Sequence, residues 1–316
     1  MDRVAGGACD DFGVRIPFLR SEPPAGAPRA RVLRNAAGRQ VGVYEYGDPD
    51  GAPLFALHGT PACGAGFDWT DGPARARGLR VIAPDRPGIG WSDPVTLTSV
   101  AAYAPELEAL ADELGFDRFS VLGYSGGGPY ALAAAYGLAD RVETVTIVAG
   151  AGEIGAWAEM RDLARSDRQV TWLALHARPL ASVVMRAADV GARAFPRLAL
   201  QSAATEMSAR DRTVLRALGT ARESMAPFRL ALAHGPRGVV DDYALLARPW
   251  RFRLGDIARP VQVWHGTDDT LVPLAHSEAL VARLPDASLT VWPGEGHLAL
   301  ITHVDEVLDD VAARIG

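Results

Sequence analysis

Short apolar segments alternate with longer amphipathic segments along most of this chain. The short segments are rich in Val, Ile, Leu and Phe and are bounded by Gly, Pro and Asp, which is typical of β-strands. The longer segments repeat their apolar residues at helical spacing. Strands are predicted at residues 31–34, 40–46, 54–57, 80–83, 119–122, 142–148, 261–264 and 288–292, and the clearest helices at about 99–114, 127–136 and 304–315.

The first two predicted strands differ from the rest in how they are connected. Residues 31–34 and 40–46 are joined by a short turn containing Ala-Ala-Gly, which predicts a hairpin. Most later strands are separated by amphipathic helices and are almost continuously apolar, as in a parallel sheet that is covered on both faces. The sequence therefore predicts an α/β protein with a mostly parallel, eight-stranded sheet, helices on both faces and antiparallel strands at its start.

The alternation is interrupted after the sixth predicted strand. The stretch that follows predicts helices without a convincing strand, and it is rich in Leu, Met and Trp. We interpret residues 152–252 as a helical cap inserted into an α/β core made of residues 31–151 and 253–316. The alternative is that this stretch is an ordinary helical layer of the core. Residues 1–30 are rich in Gly, Ala and Pro and are predicted to be a flexible N-terminal extension.

Charge and composition narrow the range of partners. The formal net charge is −6 and no Arg-dense run forms a phosphate-binding stripe, so nucleic acid is not an expected partner. No stretch approaches the roughly 18 uninterrupted apolar residues of a membrane span, so no membrane association is expected. All 32 basic residues are Arg, which excludes a Schiff-base lysine. Nothing in the sequence predicts a metal ion, a nucleotide or another cofactor, or an oligomeric state.

Cysteine usage bears on the expected compartment. Cys9 and Cys63 are the two cysteines of the chain, too few for a disulfide framework or a cysteine-rich zinc site. They fit a reducing environment, so we expect a cytoplasmic protein. Residues 5–9 faintly resemble a lipoprotein cleavage site, but neither a basic nor an apolar segment precedes them.

Ser125 is the strongest candidate for a nucleophile. Residues 123–127, Gly-Tyr-Ser-Gly-Gly, follow a predicted strand and open a predicted helix, which is the strand-turn-helix setting of a nucleophile elbow. Glycines at positions 123 and 127 are expected there because side chains would collide with the tight turn. The alternative is a glycine-rich helix start or phosphate-binding turn, but the extended dinucleotide-binding fingerprint is absent.

A serine nucleophile needs a base, a group that orients the base, and donors for the oxyanion. His297 is the candidate base, because it lies between the last predicted strand and the closing helix, where a loop can bring it to Ser125. His58 follows the third predicted strand and is expected to hold a loop rather than act as the base.

These motifs resemble the α/β-hydrolase superfamily of serine hydrolases over residues 31–316, apart from the cap. Residues 58–61, His-Gly-Thr-Pro, look like its H-G-x-P oxyanion loop, and residues 85–93 resemble its D-x-x-G-x-G-x-S loop. By that resemblance we expect an α/β-hydrolase fold of the bacterial esterase type with a helical cap. The resemblance also implies that the backbone N–H groups of Thr60 and Gly126 donate to the oxyanion.

The same resemblance selects the orienting acid. Residues 266–273 align with the pattern G-x-x-D-x-x-V-P, which puts Asp269 at the acid position and makes Asp268 its neighbour. Whether Asp268 can substitute for Asp269 stays open. The order Ser125, Asp269, His297 is the chain order expected of this fold.

The expected activity is hydrolysis of an ester-type bond in a small molecule through an acyl-enzyme. Serine at the elbow argues against the related epoxide hydrolases and haloalkane dehalogenases, which use a carboxylate there. Tyr124, next to the nucleophile, and His234, in the cap, are predicted substrate contacts. The alternatives are carbon–carbon bond hydrolysis, a non-hydrolytic reaction on the same triad (an acyltransferase, cyclase or lyase), and a catalytically silent ligand-binding protein. The elbow matches neither the G-G-S-W-G-S of proline iminopeptidases nor the G-N-S-M-G-G of carbon–carbon hydrolases closely.

Overall fold

The computed structural model describes residues 31–35, 38–153 and 162–315, so the predicted extension at 1–30 lies outside the described residues. Eight strands form one sheet. They are β1 (Arg31–Arg34), β2 (Gln40–Gly47), β3 (Ala52–Leu57), β4 (Leu79–Pro84), β5 (Phe119–Tyr124), β6 (Val142–Val148), β7 (Val261–Gly266) and β8 (Ala287–Trp292). Their order across the sheet is β1-β2-β4-β3-β5-β6-β7-β8.

The strand directions confirm the predicted α/β class. β1 and β2 form the expected antiparallel hairpin, with Arg31 opposite Val43 and Arg34 opposite Gln40. β2 also pairs antiparallel with β4, and every other neighbouring pair in the sheet is parallel. The predicted strands are all present, several of them slightly longer than the sequence pattern indicated.

Helices cover the sheet and fill the stretch between β6 and β7. The helices of the described residues are α1 (Asp71–Arg75), α2 (Ala104–Leu114), α3 (Gly128–Gly137), α4 (Arg165–His176), α5 (Arg178–Ala194), α6 (Pro196–Ala204), α7 (Ala209–Ala217), α8 (Ala221–Ser224), α9 (Ala226–Ala231), α10 (Arg237–Leu246), α11 (Ala275–Val281), α12 (Ala299–Thr302) and α13 (Val304–Arg314). None of these helices combines the length and the hydropathy needed to cross a membrane.

Alternate side chains of the central strands enter two separate hydrophobic cores. Leu54 and Ala56 of β3 pack in one core, and Phe55 and Leu57 pack in the other. The first core includes the apolar faces of α1 and α13, and the second includes those of α2, α3 and α11. Burial on both faces explains why the strands are almost continuously apolar in sequence.

Helices α4 to α10 lie between β6 and β7 in sequence, and we call residues 162–252 the helical insertion. No strand is present in it. Its first helix, α4, packs against its last long helix, α10, where the Tyr243 hydroxyl donates a hydrogen bond to Asp167 at 2.6 Å. The predicted division of the chain into extension, core and cap at residues 30, 151 and 252 stays a prediction.

Parallel strands present their carboxyl ends at one edge of the sheet, and ligands of such sheets bind outside that edge. The loops after β3, β5, β7 and β8 all leave the sheet there. They carry Thr60, Ser125, Asp269 and His297.

Candidate active site

Ser125 occupies a strained backbone position directly after β5. It begins a short 3₁₀ turn, Ser125–Gly127, that runs into α3. Its φ of 54° lies in the left-handed region that residues with a side chain rarely adopt. In the described part of the chain only two other non-glycine residues, Ala149 and Arg251, have a positive φ. Such strain persists where the surrounding structure imposes it, and it is concentrated at functional sites.

The glycines that flank Ser125 make the sharp turn possible. A Cβ atom on Gly127 would lie 1.9 Å from the carbonyl oxygen of Leu57 at the end of β3. A Cβ atom on Gly123 would lie 2.7 Å from the carbonyl oxygen of Gly127. Both distances are far inside van der Waals contact, so a larger residue at position 127 would push the elbow away from β3, and one at position 123 would collide with the elbow itself.

His297 and Asp269 are in direct contact. Nδ1 of His297 lies 2.7 Å from Oδ2 of Asp269, and both side chains are buried. The other carboxylate oxygen accepts hydrogen bonds from the backbone N–H groups of Leu271 and Val272, each at 2.9 Å. These contacts fix the Asp269 carboxylate in the loop after β7.

Asp268 points elsewhere. Its side chain is exposed and accepts a hydrogen bond from the Thr267 hydroxyl at 2.8 Å. The structure therefore brings Asp269, rather than Asp268, to His297.

The neighbours of Asp269 and His297 shift the pKa values of both groups toward their charged forms. Burial would raise the pKa of Asp269, but the charge of His297 and hydrogen bonds from His265 and His297 outweigh it and hold that pKa well below its usual range. Burial would lower the pKa of His297, but Asp269, and after it Asp211 and Asp167, outweigh burial and raise it. An ionised carboxylate thus faces an imidazole with increased proton affinity.

Tyr124 links the elbow to the loop that carries His297. Its hydroxyl donates to the carbonyl oxygen of His297 at 2.9 Å, and the two rings lie 5.4 Å apart. Because Tyr124 immediately precedes Ser125, the contact ties the loop of the predicted base to the segment of the predicted nucleophile. Among the hydrogen bonds of the described residues, none joins the Ser125 hydroxyl to His297. Hydrogen bonds between catalytic groups often tighten only in the substrate complex.

The predicted oxyanion donors lie on adjacent segments beside Ser125. A Cβ atom on Gly59 would lie 3.1 Å from the Cβ atom of Ser125. A Cβ atom on Gly126 would lie 3.2 Å from the backbone nitrogen of Thr60. The backbone of Gly126 therefore packs against that of Thr60, and the loop carrying Thr60 contacts the predicted nucleophile.

A buried ion pair that sequence reasoning missed holds this loop. Nε and Nη2 of Arg86 lie 3.0 and 2.7 Å from the two carboxylate oxygens of Asp242 in α10, and both side chains are buried. The guanidinium also donates to the carbonyl oxygens of His58 and Gly59 and, at 2.8 Å, to the hydroxyl of Thr60. The pair thus ties the helical insertion to the predicted oxyanion loop.

Tyr130 completes the surroundings of this ion pair. Its hydroxyl donates to Asp242 at 2.5 Å, and its ring lies under the Arg86 guanidinium at 4.6 Å. Burial would raise the pKa of Asp242, but the charge of Arg86 and hydrogen bonds from Arg86, Thr60 and Tyr130 keep it below its usual value. The sequence signal was an Asp inside an apolar helix, since a buried charge requires a partner.

His58 is part of the same loop. Its Nδ1 lies 2.8 Å from the carbonyl oxygen of Gly59, and its Nε2 accepts from the backbone N–H of Arg86 at 3.2 Å. Burial and the charge of Arg86 lower the pKa of His58 to about 3. The ring is therefore neutral and joins two loops.

Residues 85–93 form a closed loop around a buried carboxylate. Asp85 accepts hydrogen bonds from the backbone N–H groups of Gly64 and Trp91, at 2.9 and 3.0 Å. Ser92 donates to the carbonyl oxygen of Asp85 at 2.6 Å. Burial raises the pKa of Asp85 to about 7. The motif shapes the turn that carries Arg86.

His234 contacts that loop. Its Nδ1 lies 2.7 Å from the carbonyl oxygen of Gly90, and its ring packs edge-on against Trp91 at 5.1 Å. These contacts place it in the helical insertion against residues 85–93. That His234 contacts substrate stays a prediction.

A cavity of about 500 Å³ lies elsewhere on the helical insertion, between α5 and α10. Its lining includes neither Ser125 nor His297. The strained serine and the carboxylate–imidazole pair mark the candidate site more specifically than an empty volume does. The cavity is lined by Thr96, Arg178, Pro179, Ser182, Arg237, Val240 and Asp241.

Residues 54–311 match the model of the alpha/beta hydrolase family, which covers most of the chain. The chain belongs to the alpha/beta hydrolase family. The eight-stranded, mostly parallel sheet is the fold that the resemblance in sequence predicted, so that prediction is confirmed.

Relatives of this alpha/beta hydrolase carry names that give different substrates. It is 31% identical over 263 residues to 2-hydroxy-6-oxo-6-phenylhexa-2,4-dienoate hydrolase from Burkholderia cepacia, which covers 81% of this chain and 84% of the relative. It is 37% identical over 107 residues to pimeloyl-[acyl-carrier protein] methyl ester esterase from Aromatoleum aromaticum, covering 33% of this chain and 40% of the relative. The bromoperoxidase structure from Bacillus anthracis superimposes with a TM-score of 0.68 at 18% identity, covering 90% and 99% of the two chains. That structural likeness bears on the fold alone.

Proposed function

We propose that this alpha/beta hydrolase cleaves an ester-type bond of a small molecule through an acyl-enzyme formed on Ser125. One observation carries the proposal: Ser125 sits in a strained turn after β5, and the neighbouring Tyr124 is hydrogen-bonded to His297, which is itself paired with Asp269. Nucleophile, base and orienting acid then belong to one connected group of residues.

In the first half of the reaction, the Ser125 oxygen attacks the carbonyl carbon of the ester while His297 takes the hydroxyl proton. The carbonyl oxygen becomes an oxyanion, which would be held by the backbone N–H groups of Thr60 and Gly126. The carbonyl re-forms, the bond to the alcohol oxygen breaks, and His297 gives its proton to the departing alcohol. Asp269 keeps the ring oriented and stabilises its positive charge meanwhile.

In the second half, water attacks the acyl-enzyme. His297 takes a proton from that water, the same N–H groups hold the second oxyanion, and the bond to Ser125 breaks as His297 returns a proton to the serine oxygen. The products are a carboxylic acid and the regenerated serine. No cofactor enters this scheme.

The helical insertion would act as the cap of this site. Tyr124 and His234 are the residues we assign to substrate contact, Tyr124 because it lies between the elbow and the loop of His297. His234 is assigned because the insertion side of a capped pocket commonly sets specificity.

Carbon–carbon bond hydrolysis is the second candidate. It is favoured by the relative from Burkholderia cepacia, whose name describes a dienoate hydrolase and which matches most of this chain. The elbow sequence favours ester cleavage instead. Carbon–carbon hydrolases resemble G-N-S-M-G-G there, whereas this chain has Tyr124 in place of the Asn and Gly126 in place of the Met.

A substrate panel separates the two candidates. Purified protein is assayed with p-nitrophenyl esters of increasing acyl length and with a 2-hydroxy-6-oxo-hexa-2,4-dienoate, as wild type, Ser125→Ala and the control Ser202→Ala. Ser202 is an exposed residue of α6. We expect ester turnover by wild type and Ser202→Ala, and a loss on the order of 10³-fold or more in Ser125→Ala. Cleavage of the dienoate without ester turnover would favour the second candidate, and full ester turnover by Ser125→Ala would overturn both.

A further inference from the structure

A carboxylate of the helical insertion reaches into the loop that carries His297. Asp211 lies in the first turn of α7 and is fully buried. One of its oxygens accepts from the backbone N–H of Leu298 at 2.7 Å, and the other accepts from the backbone N–H of His297 at 3.1 Å. Asp211 thus binds two consecutive backbone amides of the loop after β8.

Helix capping does not account for this position. Ser208 caps α7, and the carboxylate three residues later would ordinarily turn back to the N–H of the capping residue. Thr220 and Glu223 form such a reciprocal capping box at α8 in the same insertion. In α7 the Asp211 backbone N–H donates to the Ser208 hydroxyl at 3.1 Å, but the Asp211 carboxylate is directed to the His297 loop.

The close approach is built into the sequence of that loop. A Cβ atom on Gly296 would lie 2.2 Å from a carboxylate oxygen of Asp211 and 2.4 Å from the hydroxyl of Ser208. Glycine at position 296 therefore lets α7 touch the backbone of His297. The Ser208 hydroxyl donates to the same carboxylate at 2.8 Å and orients it.

The same part of the insertion also contacts the loop of Asp269. The Thr270 hydroxyl, next to Asp269, donates to the carbonyl oxygen of Glu206 at 2.6 Å. Arg210 pairs with Glu295 at 2.8 Å, two residues before His297. Residues 206–211 therefore bridge the loops that carry the proposed acid and base.

We propose that Asp211 is a positioning residue of the hydrolase: its carboxylate holds the backbone of His297 so that the imidazole keeps its contact with Asp269. This inference rests on the proposed function. It makes the helical insertion part of the proposed catalytic machinery, since one of its side chains binds the backbone of the proposed base.

The charge of Asp211 adds to this effect. The charged or titratable groups facing His297 are Asp269 from the loop after β7, Asp211 from α7 and Asp167 from α4, with Tyr124 packed against the ring. The three carboxylates together raise the pKa of His297 against the effect of burial. Removing the charge of Asp211 should lower that pKa.

The test compares Asp211→Asn and Asp211→Ala with Asp189→Asn. Asp189 is a buried carboxylate of the same insertion that pairs with Arg193 at 2.9 Å, so its variant reports what a buried charge loss does to stability alone. We expect Asp211→Ala to lower kcat for an ester about 10- to 100-fold with little change in KM, as displacement of a catalytic group does. Asp211→Asn keeps one acceptor oxygen and should lose less, and the acid limb of its pH profile should move to lower pH. Asp189→Asn should keep both kcat and the pH profile.

Folded Asp211 variants with wild-type kcat and an unchanged pH profile would overturn the proposal. If Asp211→Ala does not fold, Asp211→Asn carries the test. Histidine-selective NMR titration of wild type and Asp211→Asn reads the His297 ring without any substrate, and a shift of its midpoint to lower pH is expected. An unchanged midpoint would contradict the positioning role of Asp211, whether or not the protein turns over esters. A wild-type protein without ester turnover would contradict the proposed function, and the NMR titration would still test Asp211.

Discussion

The Asp269 carboxylate and the His297 imidazole lie 2.7 Å apart at the carboxyl edge of the sheet, both of them buried. They come from the loops after β7 and β8, which are parallel neighbours paired through to Gly266 and Trp292. With Nδ1 held by the acid, the ring has the tautomer in which Nε2 can accept a proton.

Replacing the proposed acid, Asp269, should therefore reduce activity far more than replacing its neighbour Asp268. Asp269→Asn should reduce kcat for an ester on the order of 10³- to 10⁴-fold, because the amide favours the wrong tautomer of His297. Asp268→Asn is the matched control, since that side chain is exposed and contacts Thr267, and its kcat should stay within about twofold of wild type. Steady-state kinetics of the two purified variants decides this, and the reverse order of effects would assign the acid to Asp268.

The acid limb of the pH profile of kcat/KM should have its midpoint at a higher pH than an ordinary histidine would give. In the proposed mechanism His297 must be neutral to take the serine proton, and its carboxylate neighbours raise its pKa. A raised pKa keeps the base protonated to higher pH, so activity should rise with a midpoint above the ordinary histidine value of about 6.5. Ester hydrolysis measured in buffers of constant ionic strength gives that midpoint, and a value clearly below 6.5 would contradict this electrostatic account.

Breaking the buried ion pair of Arg86 and Asp242 should destabilise the fold strongly. Arg86→Met or Asp242→Asn leaves a buried charged group unpaired, which is expected to lower the free energy of unfolding by about 3–5 kcal/mol. Denaturant unfolding measures this, with Arg75→Ala as control. Arg75 pairs with Asp71 on the surface, their side chains 57% and 50% exposed, so its loss should cost about 0–1 kcal/mol. A loss from Arg86→Met no larger than that from Arg75→Ala would show that the pair does not hold the loop.

The turn at Ser125 should not accommodate even the methyl group that Gly127→Ala adds. A Cβ atom there would lie 1.9 Å from the carbonyl oxygen of Leu57, so Gly127→Ala must displace either the elbow or β3. We expect a large loss of thermal stability and of ester turnover. Gly72→Ala in α1 has open space around its Cβ and should be neutral or stabilising by about 0.5–1 kcal/mol. Normal stability and activity of Gly127→Ala would contradict the tight packing of the turn.

The fold was readable from the sequence because its signals are local. Apolar strands, amphipathic helices and the turn around Ser125 each occupy a short window, and the parallel sheet then follows from their alternation. The positions of Ser125, Asp269 and His297 relative to the strands were likewise predictable, since each follows a strand end. Their contacts were not: the family resemblance selected Asp269 over Asp268, and the structure adds the direct contact of Asp269 with His297.

The contributions of the helical insertion could not be read in the same way. Asp211 and Asp242 lie far in sequence from the loops they hold, and no local pattern connects a carboxylate in a helix with backbone amides after β8. Helix packing within the insertion decides which side chains reach the sheet edge. That packing depends on tertiary contacts, which periodicity does not encode.

Labelling with a fluorophosphonate probe tests the central claim most directly. The probe reacts with a serine only when a neighbouring base activates it, and peptide mapping by mass spectrometry identifies the labelled residue. We predict one adduct on Ser125 in wild type, none in Ser125→Ala, and strongly slowed labelling in Asp269→Asn. An unlabelled Ser125 in folded wild-type protein, or an adduct on another serine, would contradict the account.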